Sequence, residues 1–289
     1  MPRPFEEYRG RNFLEKVDAD QREALEAWET ILRMGEAGKV DCEHFIEEQL
    51  YLTAETAEYV YSDYTPLELK YEHGSRPKLD ETVDMLTTPE MSEFERLLWL
   101  GRFVRDLPNK HNWAPMPFTG GTEEELIEKA PAMCNEQARL LVVLCQVAGM
   151  PARYVGHHIG GHGVTEVYVD GSWAYYDIRG KFFFKEDGRL ANTWEIWQDP
   201  AIIDRQPDWV VREVHPKYRP KGDPYLITRR SFFSPKECTG ITNYSVWDAD
   251  KYDFSHPPED ENFVQNTADL RRARNCVREK FGFFYRAKI

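Results

Sequence analysis

Two alternating apolar runs, HGVTEVYV (162–169) and SWAYYD (172–177), are joined by the dipeptide Asp170-Gly171. Nothing else in the 289-residue chain restricts the fold as tightly. A two-residue turn of this kind needs backbone angles that Asp and Gly tolerate, and it drives the flanking segments into an antiparallel hairpin. The register follows from the turn: Val169 faces Ser172, and Asp177 lies opposite Val164. Side chains alternate between the two faces of a strand, so His162, Val164 and Asp177 share one face. His162 is then the diagonal neighbour of Asp177, roughly 7–8 Å away between Cα atoms, within reach of an imidazole–carboxylate contact. A shift of one residue would put the two on opposite faces.

Upstream lies CNEQARLLVVLCQVAG (134–149), in which Ala138, Leu141, Cys145 and Ala148 recur at helical spacing and Gly149 suits the C-terminal cap. Beyond Leu140 it is apolar nearly all round, which predicts a buried central helix. PARYVGH (151–157) predicts a further strand. Capping boxes mark two more helix starts: Ser92 with Glu95 in SEFERLLWLGRFVRDLP (92–108), and Thr122 with Glu125 in TEEELIEKA (122–130). An amphipathic helix is expected over 20–38. After Pro200 the pattern loosens into the Pro-rich stretches 215–224 and 254–262, followed by a basic helix over 266–281. The expected organisation is a helical N-terminal region (1–90), an α+β catalytic-type core (91–200), and a C-terminal extension (201–289) that wraps the core.

This arrangement has a chemical reading. A thiol is a weak nucleophile until it ionises, and a helix N-terminus lowers its pKa through the dipole and the free backbone N–H groups. Cys134 is expected in the first turn of the central helix. A nearby His can take the thiol proton, and a carboxylate can hold that His in the right orientation. Cys134, His162 and Asp177 are therefore the candidate catalytic set. The plain alternative for Cys134 is a small buried hydrophobe, and Cys145, deeper on the apolar face, is read that way. Glu166 falls on the His162 face. It is read as a solvated residue if its strand lies at an edge and is assigned no chemistry.

The ordered set Cys134, Ala138, Leu140, Leu141, Gly149, Pro151, Ala152, Arg153, Val155, His162, Glu166, Val167, Tyr168, Gly171, Trp173 and Asp177 resembles the transglutaminase-like superfamily of papain-type cysteine enzymes. Members carry a Cys at a helix start, then Gly-(Ile/Met)-Pro-Ala-Arg-x-Val, then His-Ala-Trp-x-Glu-Val-Tyr, a Gly turn, a Trp and an Asp. The resemblance implies a papain-like α+β fold, with a Cys-bearing central helix packed on an antiparallel sheet that carries His and Asp. It also implies a Cys134–His162–Asp177 triad that needs no cofactor. Two positions depart from the pattern: Ala132 stands where a Gly is frequent, and Val164 where a Trp is frequent. Loss of an indole beside His162 would let water reach an acyl intermediate, which favours hydrolysis over protein cross-linking. The expected substrates are a peptide, a glycoconjugate or a small amide, cleaved by a cysteine hydrolase through a thioester. The alternatives are an acyl transferase of transglutaminase type and a catalytically silent binding module using the same cleft.

A thioester route needs an oxyanion hole. The backbone N–H of Cys134 is one donor. The second belongs to the segment NKHNWAPMPF (109–118), where Asn112 or Trp113 can supply it, with Trp113 the leading candidate. A metal reading of HHIGGH (157–162) has His157, His158 and His162 as ligands. It lacks a companion ligand pattern and competes with the catalytic assignment of His162, so no metal is expected. The glycines more simply let the loop approach a substrate.

Composition narrows the partners. A net charge of −13 disfavours nucleic acid and anionic membranes as partners. No apolar run reaches membrane-spanning length and the N-terminus lacks an apolar signal core, so a cytoplasmic location is expected. Five widely spaced Cys residues without a CxxC pair point to free thiols. RRARNCVREK (271–280) is read as a solvated helix face. Trp194, Trp197, Trp209, Tyr244 and Trp247 are read mainly as packing residues.

Overall fold

A computed structural model describes residues 50–52, 54–61, 71–107, 122–131, 134–157, 162–179, 181–211, 225–233 and 239–242. The expected helices over 20–38 and 266–281, the two Pro-rich stretches, Ala132, Asn112, Trp113, His158, Tyr244 and Trp247 lie outside these residues.

In chain order the elements are β1 (Leu50–Tyr51), α1 (Ala54–Val60), α2 (Pro77–Leu86), α3 (Glu93–Asp106), α4 (Glu123–Lys129), α5 (Cys134–Val147), β2 (Ala152–His157), β3 (His162–Val169), β4 (Ser172–Tyr176), α6 (Thr193–Gln198), a 3₁₀ turn (Pro200–Ile203), α7 (Leu226–Phe233) and β5 (Thr239–Thr242). Both anticipated capping boxes are present. The Ser92 hydroxyl accepts the Glu95 N–H at 3.2 Å while the Glu95 carboxylate accepts the Ser92 N–H at 2.9 Å. Thr122 and Glu125 repeat the exchange. A third box, Asn192 with Glu195, opens α6; its N-x-x-E spacing was available in the sequence.

The hairpin forms in the expected register, Val169 with Ser172 through Thr165 with Tyr176. Asp170 and Gly171 both take positive φ, 50° and 81°, as a type I′ turn demands. The five strands lie in the order β1-β5-β2-β3-β4, with every described pair antiparallel. β1 and β5 come from outside the expected 91–200 core. A two-residue strand and the tetrapeptide TGIT carry too few side chains to show a period of two.

α5 packs against one sheet face, where Ala152, Tyr154, Val167, Val169, Ala174 and Tyr176 join the core made with α2, α3, α4 and α5. Residues 138–146 of α5 are all buried, as its all-round apolar character requires. Each buried Leu contributes about 1.5–3 kcal/mol relative to exposure. Two polar contacts fix the helix on the sheet: the Thr165 hydroxyl donates to the Ala138 carbonyl at 3.2 Å, and the Gln146 amide donates to the Ala152 carbonyl at 2.8 Å. The opposite face has its own core of Val155, Val164, Tyr175 and Ile241 with Leu52, Phe183, Ile196 and Phe232. The sheet is thus covered on both sides, and the first residues of α5 end beside the β2–β3 end of the sheet.

Candidate active site

Cys134 is the first residue of α5 and is half-buried. The helix dipole and the first-turn N–H groups, which have no partner within the helix, meet at this point. The Gly163 N–H donates to Cys134 Sγ at 3.4 Å. The approach is possible because residue 163 has no side chain: a Cβ there would lie 3.1 Å from the Asn135 Cα and 2.5 Å from the Tyr154 hydroxyl. Gly163 therefore lets the head of α5 sit directly on β3.

His162 is the first residue of β3, and its Nε2 meets Asp177 Oδ2 at 2.8 Å. Both side chains are almost fully buried. With Nε2 committed to Asp177, Nδ1 is the nitrogen left for the thiol, with which His162 hydrogen-bonds. Asp177 is fixed in turn. Its backbone exchanges hydrogen bonds with Lys181, and its Oδ1 accepts the Arg179 N–H at 2.9 Å.

The three groups shift one another's ionisation. Burial pushes the Cys134 thiol up, but the hydrogen bond and charge of His162, the Gly163 N–H and the charge of Arg179 hold it down at about 7. Burial would depress His162, yet the charge and hydrogen bond of Asp177, reinforced by Cys134, raise it to about 10. Burial would raise Asp177, and the charge and hydrogen bond of His162 with the charge of Arg179 pull it down to about 2. Between about pH 7 and 10 the arrangement favours thiolate, imidazolium and carboxylate in contact. Cys145 is the contrast: burial alone pushes its thiol up, so it stays protonated.

Residues 81–178 match the profile of the transglutaminase-like superfamily. The chain carries a transglutaminase-like core. Comparison with curated proteins gives no match, and neither does comparison with solved structures. Within this core the structure corrects the reading of Val164 and sharpens those of Glu166 and His157. Glu166 is not solvated. It is fully buried because β3 is an inner strand, and it takes Arg153 Nε at 2.8 Å, the Tyr61 hydroxyl at 2.8 Å and the Thr193 N–H at 2.7 Å. Val164 does not wall the site. Its side chain is buried in the core on the face away from α5, so a missing indole there opens no path for water. His157 does not face outward as a ligand. It is fully buried, with Nδ1 3.3 Å from the Thr239 hydroxyl and its ring 5.0 Å from that of Phe232. Burial, then the charge of His162, holds it neutral with a pKa near 3.

Of the sequence-derived candidates, Cys134, His162 and Asp177 are brought together, while Trp113 falls outside the described residues. Among the described residues no cluster of three or more His, Cys, Asp or Glu could hold a metal ion. Nor is any described helix long and apolar enough to cross a membrane. The sequence reading passed over Gly163 and Arg179. Gly163 had a signal, since it stands where the family pattern has Ala.

Proposed function

We propose that the chain is a cysteine hydrolase that cleaves an amide or related acyl bond through a thioester. The observation that carries this is the half-buried thiol held at about 7 beside a buried His–Asp pair. Cys134 Sγ attacks the acyl carbon and the carbonyl π electrons move to oxygen. The Cys134 backbone N–H at the helix start faces the developing oxyanion, with Trp113 the proposed second donor. His162 gives its proton to the leaving nitrogen, the C–N bond breaks, and the acyl group stays on sulfur. His162, now neutral, takes a proton from water as the water attacks the thioester, and the acid leaves with Cys134 restored. Asp177 holds the imidazole ring throughout and stabilises its charged form. No step calls for a metal or organic cofactor. A peptide, glycoconjugate or small amide is the proposed substrate, and no nucleic-acid or membrane partner is proposed.

Incubation with an activated acyl ester and a labelled primary amine tests the reading. The expected result is a Cys134 thioester that resolves mainly to the free acid, with Cys134→Ala and His162→Ala inactive but folded. Amide as the dominant product would establish a transferase instead. No adduct on Cys134 would leave a silent binding module.

A further inference from the structure

Arg179 is the cationic group of the site whose charge acts on the triad but whose guanidinium touches no reacting atom in the thioester mechanism. It follows Asp177 by two residues, in the tight turn that Asp177 and Lys181 close through their backbones, and it is half-buried. Its positive charge acts on Cys134, Asp177 and Tyr175, which places it near the Cys134–Asp177 site. Asp177 does not neutralise it by contact: the Oδ1 atom accepts the backbone N–H of Arg179, and Oδ2 is held by His162. Among the described residues its guanidinium has no carboxylate within ion-pair distance; Arg96 and Arg102 also lack one but meet backbone carbonyls and the Trp99 ring, whereas Arg105, Arg139, Arg153, Arg189, Arg205 and Arg229 are each paired with a carboxylate. A partly buried guanidinium without a counter-ion is poorly satisfied until an anion arrives, and its planar fork matches a carboxylate. The chain carries a net charge of −13, so its general field repels anions. A local cation is what can draw one to the thiol.

We propose that Arg179 is a specificity residue that binds a carboxylate on the substrate, so that the bond attacked by Cys134 belongs to a carboxylate-bearing amide. This rests on the thiol-nucleophile reading above. The test needs no knowledge of the natural substrate. Iodoacetate and iodoacetamide alkylate a thiolate by the same step, in which sulfur displaces iodide, and differ in bearing a carboxylate or a neutral amide. Their rates at Cys134 are compared in the full-length protein at about pH 8.5, above the thiol's pKa, and each is divided by its rate with a free small-molecule thiol. The corrected iodoacetate-to-iodoacetamide ratio is expected to exceed one. It should fall roughly 5- to 10-fold in Arg179→Gln, about the factor that one close charge pair near solvent supplies, and stay intermediate in Arg179→Lys. Using the ratio cancels any general change in thiol reactivity, including the effect of Arg179 on ionisation, and circular dichroism of both variants checks the fold. An equal ratio in the wild type and Arg179→Gln would overturn the proposal while leaving the thiol reading intact. Alkylation by both reagents at about pH 6.5–7, where a free thiol is almost wholly protonated, that is no faster than the free thiol would remove that reading and the proposal with it.

Discussion

At the scale of single residues, the site depends on a positive charge on His162, which Asp177 maintains. Asp177→Asn keeps the shape of the contact and removes the negative charge that raises His162. The pKa of His162 must then fall, and as the ring loses its charge the thiol loses the partner that holds it at about 7. The pH dependence of Cys134 alkylation should shift to higher pH by about one to two units in Asp177→Asn. Amide cleavage should drop further, because an Asn can hold the ring in the wrong tautomer. An unmoved alkylation profile would show that the imidazolium does not set the thiol's ionisation. These three residues were legible in the sequence because short-range rules govern them: a helix start places Cys134, and a two-residue turn fixes the register between His162 and Asp177. Arg179 and Glu166 were not legible, since what defines each is its surroundings. Glu166 takes its partners from Tyr61 and Thr193, far away along the chain, and no local pattern encodes that meeting.

At the scale of elements, the reactivity proposed for Cys134 is a matter of how closely α5 sits on β3. Gly163 sets that distance, because a Cβ would press on the backbone of Asn135, the residue after Cys134. Gly163→Ala should leave a folded protein that has lost about 1–3 kcal/mol to overpacking. The head of α5 moves by a few tenths of an ångström, so the Sγ–His162 contact loosens and the Gly163 N–H loses its hold on the sulfur. Alkylation of Cys134 near neutral pH should slow at least about tenfold, the scale expected when a reacting group is slightly misplaced. A rate equal to wild type would mean that this contact does not position the thiol. The elements of this layer were readable from periodicity and caps: α5 is apolar all round, and β3 and β4 alternate about an Asp-Gly turn. β1 and β5 were not, because short strands are specified by the edge they complete rather than by their own composition. β5 exists because β2 would otherwise expose its backbone donors and acceptors.

At the scale of the whole molecule, one buried ion pair ties together segments that the sequence keeps far apart. Arg153 on β2 bonds Glu166 on β3 and donates to the Val60 carbonyl at the end of α1 at 3.0 Å. Its guanidinium lies 3.8 Å from the centre of the Trp173 ring on β4 and 4.8 Å from that of Tyr61. Glu166 in turn receives Tyr61 and the first N–H of α6. The cluster occupies the sheet face that also carries His162 and Asp177, but lies farther along the strands. It binds the chain before the core and the chain after it to the strands of the hairpin. Removing one charge of such a pair costs more than the pair itself contributes, because the other charge is left buried without a counter-ion. Glu166→Gln keeps the volume, and its Oε1 can still accept from Tyr61 and Thr193, but an amide NH2 replaces the Oε2 that accepts from Arg153, so the charge and the bond to Arg153 are lost together. Equilibrium denaturation should show a loss of about 3–5 kcal/mol. Replacing both partners with apolar residues, as in Arg153→Met with Glu166→Leu, should recover part of it. Alkylation of Cys134 in the fraction of Glu166→Gln that remains folded should keep the wild-type pH profile, since the cluster supports the sheet without touching the thiol. A loss under about 1 kcal/mol would show that the clamp does not hold these segments together. A shifted alkylation profile in the folded fraction would place Glu166 in the electrostatics of the thiol, and its role would then be chemical rather than architectural.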